Sequence, residues 1–323
     1  MPTSRGNPDD IVRALADPER VAIAGILART DRPVFPADLP QRLRDRIEEA
    51  ARGLELGDPL WLGKERLNDL DRCEGPFWSR LAGEGPPVAH RRATAVGVVQ
   101  HRAIEVVVGA REALEPHDAA SIAATRTADR EERFAEYWRD LGIAEQDDLL
   151  MEVTRRTALF EGSFPPLRDL RRELAPMVEL PMKAELLGGS LVVSGKVDLV
   201  VGRPDRMQPM RAQRLLIDLK TGGAYPEHAE DNRAYALLHT LRFGVPPYRV
   251  ASFFLEGGTW QLEDVHEELL FHAADRVIAA ARSVAALRGG REPALNPGRW
   301  CAWCYRAPEC PVADPEGMPA LVP

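Results

Sequence analysis

Residues Leu191–Val201 read LVVSGKVDLVV and residues Arg214–Lys220 read RLLIDLK. Both runs are short, rich in aliphatic and β-branched side chains, and bounded by Gly, Pro or Arg, which is how strands are written in a sequence. Each run carries an acid among apolar neighbours, Asp198 in the first and Asp218 in the second. Asp218 and Lys220 are two positions apart and therefore project from one face of their strand. A carboxylate buried without a partner costs several kcal/mol, so both acids need compensation. Two carboxylates and an amine on neighbouring strands suit a hard cation, with oxygen ligands for Mg2+ or Mn2+ and an ammonium beside the attacking water. The purely structural alternative is that Asp198 lies near a sheet edge and Asp218 is neutralised by Lys220.

Outward from these two runs, Pro181–Leu187 and Tyr248–Leu255 also read as strands, and Glu227–Phe243 and Asp264–Arg288 as helices. Three or four strands flanked by helices predict an α/β or α+β core. Upstream lies an apolar-periodic helix from about Ala93 to Leu114, and residues 118–180 are charged and helical in pattern, like an insertion or lid. Residues 9–55 read as helices broken near Asp31–Pro40, Trp61–Trp78 as a short helical stretch that includes Cys73, and GEGPPVAHRR at 83–92 as a loop. The expected organisation is a helical N-terminal region over 1–60, one domain over 61–311 with a helical insertion at about 115–180, and a flexible Pro-rich tail over 312–323.

Within AVGVVQHRAIEVVVGAR, the residues Gly97, His101 and Glu105 follow at four-residue spacing and share a helix face. His101 interrupts a run of valines and isoleucine. It is either a hydrogen-bonded core residue or a neutral imidazole that completes a carboxylate metal site. In the helix PEHAEDNRAYALLHTLRFG, Asp231 and Tyr235 have the same spacing, which an ordinary packing helix would also show.

Among 323 residues there are 42 basic and 50 acidic side chains, a net charge of -8, which excludes a broadly basic nucleic-acid binder. Only four of the basic residues are lysines: Lys64, Lys183, Lys196 and Lys220. No apolar run reaches the roughly 18 residues of a membrane span, and the first twenty residues lack a hydrophobic signal core, so a cytoplasmic protein with no membrane association is expected. In that setting clustered cysteines more often hold metal than form disulfides. Cys301, Cys304 and Cys310 form C-x2-C-x5-C-P, with Cys73 far upstream, so four thiolates are available to zinc or to an iron–sulfur cluster. The chemistry of four thiolates does not choose between the two. Either centre would close a loop of more than two hundred residues and matter to folding.

Taken in order, these segments resemble the RecB-like branch of the PD-(D/E)XK nuclease superfamily, in particular the iron–sulfur exonucleases of the AddB type and the CRISPR-associated RecB-like exonucleases. KERLNDLDRCEGPFWSR at 64–80 is similar to the family's opening segment, and Gly97-x3-His101-x3-Glu105 to its metal-binding histidine motif. Gly195-Lys-Val-Asp198 resembles the Gly-x-x-Asp strand, Ile217–Gly222 the catalytic Asp-x-Lys strand, and C-x2-C-x5-C-P the remaining cluster ligands. The resemblance covers roughly residues 60–311, with 115–180 unaccounted for. It implies a restriction-endonuclease-like mixed β-sheet core flanked by helices. It also implies that His101, Asp198, Asp218 and the backbone carbonyl of Leu219 ligate Mg2+ or Mn2+, and that Lys220 orients the attacking water. Cys73, Cys301, Cys304 and Cys310 would hold a structural [4Fe-4S] cluster, with Zn2+ as the alternative. Glu185 and Glu105 are candidate acids around the metal.

The family pattern Gln-x3-Tyr is altered here: Tyr235 is present, but Asp231 stands where glutamine is expected. A carboxylate there would repel phosphate unless Arg233, His228 or a metal neutralises it. A chain this acidic must concentrate its phosphate contacts locally. Arg91, Arg92 and Arg102 beside the histidine helix, and Arg203, Arg206, Arg211 and Arg214 before the catalytic strand, are the nearest candidates, with Arg168, Arg171 and Arg172 as a third set and Tyr235 as a substrate contact. Phe77, Trp78, Trp300, Trp303 and Tyr305 near the cysteines could stack bases or pack around the cluster. The expected activity is that of a metal-dependent DNA exonuclease or end-processing nuclease, acting alone or beside a helicase or other repair or phage-defence subunits. The alternatives are a nuclease-like subunit that holds DNA without cutting it, and a zinc-stabilised interaction protein.

Overall fold

The computed structural model describes residues 32–85 and 90–313, apart from the side chains of Ala302 and Trp303. The expected helices over residues 9–31, the middle of the 83–92 loop, the Trp303 ring and the tail from residue 314 lie outside the described residues. In chain order, helix α1 (Leu39–Ala51) precedes strand β1 (Leu60–Leu62), then helices α2 (Lys64–Arg72), α3 (Glu74–Leu81) and α4 (Arg92–Gly109). Helices α5 (Pro116–Arg130), α6 (Glu132–Asp140) and α7 (Ile143–Ser163) follow, then a single turn α8 (Arg171–Leu174). The rest is β2 (Met177–Leu186), β3 (Leu191–Val201), β4 (Leu215–Lys220), α9 (Glu227–Phe243), β5 (Arg249–Phe254), β6 (Thr259–Asp264) and α10 (Glu267–Arg288).

The expected mixed sheet flanked by helices is what forms, with six strands where three or four were expected. The two extra strands carry weak signals. β1 has three residues, and β6 (TWQLED) is an exposed edge whose pattern mixes polar and apolar residues. Tertiary pairing holds both: β1 runs parallel to β3 at Leu60↔Leu191, and β6 antiparallel to β5 from Arg249↔Asp264. The stretch Trp61–Trp78 is therefore not one helix. Its start belongs to β1, and Cys73, with an extended backbone, separates α2 from α3. The strand expected from Pro181 begins earlier, at Met177, because the whole segment is recruited into a long hairpin with β3. The helical reading of 118–180 accordingly stops short of its expected end.

Pairing around β3 creates the feature that positions the site. β2 occupies one edge of β3 from Met177↔Val200 to Leu186↔Leu191. The other edge is shared: β1 takes Leu191–Val193 and β4 takes Leu199–Val201. Between them, residues 194–198 have no strand on that edge, so β1 and β4 fork apart. The Asp198 side chain fills part of the gap, its Oδ2 accepting a hydrogen bond from the Leu219 backbone N–H at 2.7 Å.

Two cores support this fork. The larger joins the sheet to α9, α10 and α1, whose Leu39, Leu43, Ile47 and Ala51 recur every fourth residue and are buried. Arg42–Glu267 at 3.1 Å and Arg46–Asp275 at 2.7 Å tie α1 to α10 across its outer edge. The smaller core lies among α4, α5, α6 and α7, around Val99, Ala103, Phe134 and Leu149. α4 takes part in both, burying Val99 in one and Ile104 in the other. No helix of the described residues is long and apolar enough to cross a membrane.

Candidate active site

A cleft of about 860 Å3 opens where β1 and β4 diverge, lined by Lys64, His101, Glu179, Asp198 and Tyr235 among others. β1 ends at Leu62, so α2 starts at Lys64 on the rim. β3 supplies Asp198, β4 supplies Asp218 and Lys220, and α4 brings His101 over the sheet. Gly195 allows the close approach of α9: a Cβ there would sit 3.0 Å from a Tyr235 ring carbon. The Tyr235 hydroxyl donates to the Lys196 carbonyl at 2.8 Å, and burial pushes the phenol far above its ordinary range. Tyr235 thus fastens α9 to β3 on one side of the cleft.

The ionisable groups divide into two sets. In the first, His101 Nδ1 lies 3.2 Å from Asp198 Oδ1 and 3.5 Å from a Glu179 oxygen. The ligating atoms of His101, Glu179 and Asp198 all lie within 4.8 Å of one another. Burial works against a charged imidazole, but Asp198 and then Glu179 outweigh it and push His101 up to about 10. Burial raises the Asp198 carboxyl despite the opposing His101 charge. Glu179 is held below its usual range by His101 and by Lys196, which pairs with it, although burial opposes this.

In the second set, Lys64 Nζ donates to Asp218 Oδ1 at 3.2 Å, and Lys220 Nζ lies 2.5 Å from Asp218 Oδ2. Lys220 also donates to Asp231 Oδ2 at 2.9 Å, and Asn68 Nδ2 donates to Asp231 Oδ1 at 2.6 Å. Burial would raise Asp218, but Lys64 and then Lys220 more than offset it and keep the carboxyl ionised. For Lys64, burial is likewise overcome, chiefly by Asp218, so the ammonium stays charged. Two ammonium groups and two carboxylates thus neutralise one another in a mostly buried network.

The structure brings His101, Asp198, Asp218 and Lys220 together, along with two residues that the sequence motifs did not single out. Glu179 has φ +53, a conformation unusual for a side chain other than Gly or Asn, and it interrupts the β2–β3 register opposite Asp198. That local distortion turns its carboxylate toward His101, and nothing in Met177–Glu179–Pro181 announces it. Lys64 was visible as one of only four lysines, at the head of the segment 64–80. Glu185 is not part of the group: it lies outside on the hairpin, 2.7 Å from Lys183. Glu105 pairs with Arg102 rather than with His101. Asp231 is neutralised by Lys220 and, at 3.9 Å, by Lys64; Arg233 is engaged by Glu230 and Glu263.

The arginines are distributed differently from what the sequence suggests. Arg102 lines the cleft, whereas Arg92 pairs with Glu152 at 2.8 Å and Arg91 stands exposed at the start of α4. Arg214 faces the interior, 3.1 Å from His239 Nε2 and over the Phe243 ring, so it cannot reach the cleft. Arg203 and Arg211 are held by the Arg171 carbonyl and by Gln208. Of the third set, Arg168 pairs with Asp169, and Arg171 donates to the Val108 and Ala110 carbonyls behind α4.

A fit to a divalent metal can be judged from the donors. One imidazole with carboxylates, their ligating atoms within 4.8 Å of one another, suits Mn2+ or Mg2+. The residues therefore fit such an ion. The four thiols face a separate cavity of about 650 Å3, to which the described parts of Cys73, Cys301, Cys304 and Cys310 all contribute. Burial and then the neighbouring thiols push Cys304 up, as crowded sulfurs should. The C-terminal segment reaches this position through Glu74, which accepts from Arg291 at 2.7 Å and from the Ala294 N–H at 2.7 Å, and through a Glu84–Arg306 pair.

Residues 64–311 match the PD-(D/E)XK nuclease superfamily. Among solved structures, a Eubacterium rectale protein provisionally named an exonuclease shares 13% identity at a TM-score of 0.48, over 79% of this chain and 89% of that one. SSO0001 shares 13% identity at a TM-score of 0.31, over 85% of this chain and 94% of that one. No curated protein matches the sequence.

Proposed function

The chain belongs to the PD-(D/E)XK nuclease superfamily, and on that premise we propose that it is a metal-dependent DNA nuclease, acting as an exonuclease or on DNA ends. The observation that carries this reading is the adjacency of two sets on one fork of the sheet: His101, Glu179 and Asp198 with mutually close ligating atoms, and Asp218 between Lys64 and Lys220. His101, Glu179, Asp198 and Asp218 would hold Mg2+ or Mn2+, with the Leu219 carbonyl as a further oxygen. When bound, the metal supplies charge neutralisation at the phosphate and lowers the pKa of water. Lys220 orients the attacking water through an N–H, Lys64 keeps Asp218 ionised, and Tyr235 fixes the α9 wall against which substrate lies.

The same proposal assigns a structural [4Fe-4S] cluster to Cys73, Cys301, Cys304 and Cys310. It is supported by the four thiols around one cavity and by a chain that returns to them through Glu74–Arg291. Zinc would draw the sulfurs to about 3.8 Å from one another, given Zn–S bonds near 2.3 Å; an iron–sulfur cluster holds them wider. Work in the cytoplasm beside a helicase, in DNA repair or in phage defence, fits a nuclease of this kind. A second reading, a DNA-holding subunit that does not cut, is favoured by one observation: the Asp231 carboxylate engages Lys220, where an uncharged residue would leave the ammonium free for water.

The test is incubation of labelled single- and double-stranded DNA with Mn2+, comparing wild type with Lys220→Ala and Asp218→Ala. Degradation by wild type and loss in both variants supports the assignment. Wild type that degrades neither substrate, or variants that cut equally well, would refute it.

A further inference from the structure

The four lysines of a chain that otherwise uses arginine divide between two neighbouring places. Lys64 and Lys220 serve Asp218; Lys183 and Lys196 lie farther along the β2–β3 hairpin. Antiparallel pairing sets Lys183 opposite Ser194, and Lys196 two residues on, so both share the hairpin face that carries Asp198. Same-face neighbours on a strand are about 6.7 Å apart, comparable with the repeat of an extended sugar–phosphate chain. The face therefore presents cations at strand spacing, Lys196 paired with Glu179 and Lys183 with Glu185, each lysine half-exposed and leading away from the Glu179–Asp198 end.

A groove of about 870 Å3 follows this face, lined by Arg44, Trp61, Lys183, Lys196 and Arg242 among others, with Glu185 its acid. Trp61, Ser194, Gly195 and Lys196 line both groove and catalytic cleft, so the two are continuous. Trp61 is the outward residue of the buried-exposed-buried β1 strand and is 45% exposed, with Lys183 Nζ 5.7 Å from its ring. The Trp61 ring is thus about half open to solvent at the mouth of a basic groove. It is what base stacking needs, while the cations meet phosphate.

We propose that this groove is the path of a single-stranded DNA segment leading to the cleft, with Trp61 stacking on a base and Lys183, Lys196, Arg44 and Arg242 meeting the backbone. The inference rests on the nuclease reading for its substrate but not on catalysis. It also accounts for how a chain with net charge -8 holds a polyanion: Lys183, Lys196, Arg44 and Arg242 gather along one narrow groove.

The experiment measures anisotropy of fluorescein-labelled (dT)4, (dT)16 and a 16-base-pair blunt duplex in EDTA, using the full chain. Variants are Trp61→Ala, Trp61→Phe and the double Lys183→Ala/Arg242→Ala. Wild type is expected to prefer (dT)16 to (dT)4. Trp61→Ala should weaken (dT)16 binding about tenfold, from the usual contribution of stacking, and Trp61→Phe should restore most of it. The double variant, whose side chains lie at the surface, should weaken (dT)16 but not (dT)4. It should also lower the log–log salt slope by about 1.4, at about 0.7 for each phosphate that is no longer neutralised. The groove assignment is overturned if the variants bind (dT)16 as wild type does, if wild type shows no length dependence, or if the duplex is affected as strongly as (dT)16. Wild type that shows these dependences yet cuts nothing with Mn2+ supports the groove and overturns the hydrolytic reading alone.

Discussion

Lys64 Nζ lies 3.2 Å from Asp218 Oδ1, although the two residues are 154 positions apart in the chain. Strand β4 therefore depends on the first turn of α2 for one of the two ammonium groups that pair with Asp218. Lys64→Met leaves Asp218 with Lys220 alone in a site where both acids are almost fully buried. We expect DNA cleavage with Mn2+ to fall at least tenfold, and unfolding free energy to drop by about 2 kcal/mol, less than the loss of a sole partner because one cation remains. Initial rates and urea titrations read both effects. Wild-type values for both would remove Lys64 from the site.

Asp231→Asn separates two roles of the buried network. The change leaves one acceptor for two donors, since Lys220 and Asn68 bind different Asp231 oxygens, and removes one of two negative charges facing two ammonium groups. The expected cost is about 1–3 kcal/mol of stability. Activity should survive better than in Lys220→Ala, because Lys220 retains Asp218 and its N–H donors. Activity as low as in Lys220→Ala would make Asp231 part of the chemistry rather than its support.

Glu179→Gln tests the metal set where the sequence was silent. The substitution keeps shape and one acceptor oxygen but removes a negative charge from the group within 4.8 Å of His101 and Asp198. Mn2+ titration by calorimetry should show affinity reduced by about tenfold or more, in the range seen when residues around a metal are altered. Glu185→Gln, out on the hairpin beside Lys183, should bind Mn2+ as wild type does. Equal affinity in wild type and Glu179→Gln would leave the metal to other ligands.

The contrast between Glu179 and Glu185 shows where sequence stops. Asp198, Asp218 and Lys220 were legible because a charged residue inside a β-branched run contradicts its surroundings, and His101 because it interrupts a valine face. Glu179 sits in a stretch of mixed polarity, and only its positive φ, imposed by the hairpin opposite Asp198, turns it inward. β1 and β6 escaped for a related reason: three residues, or an exposed edge, carry too little periodicity, and their partners in the sheet define them. Arg214 was misplaced because sequence proximity to Asp218 says nothing about which side of β4 its chain enters from. It enters on the His239 side.

Cys304→Ser should lower the melting temperature while leaving residual activity per folded molecule close to wild type, because the cysteine cavity and the cleft are lined by different residues. Protein purified without oxygen should be brown, and the variant paler. The ion pairs of Glu74 with Arg291 and of Glu84 with Arg306 would still hold the C-terminal segment, so the loss is partial rather than complete unfolding. An unchanged melting temperature would argue against a structural cluster.

His239 gives the fold a pH dependence of its own. Its ring is fully buried in α9, with Nδ1 3.0 Å from the Val245 carbonyl and Nε2 3.1 Å from an Arg214 guanidinium nitrogen. Nδ1–H therefore donates to the carbonyl and Nε2 must accept from Arg214, which fixes the neutral tautomer. Burial, and then the Arg214 charge, lower the folded-state value from 6.5 to about 3. The unfolded chain takes up the proton near 6.5, so this contribution is complete above that pH, declines as pH falls toward 3, and is flat below it. At about 1.4 kcal/mol per pH unit the full loss is on the order of 5 kcal/mol. Urea unfolding of wild type and His239→Gln between pH 7 and pH 4 isolates it from the carboxylates, which both proteins share. Wild type should lose stability more steeply on acidification than the variant, which has no ring to protonate. Parallel curves would mean that the imidazole is already charged in the fold, and that Arg214 does not face it.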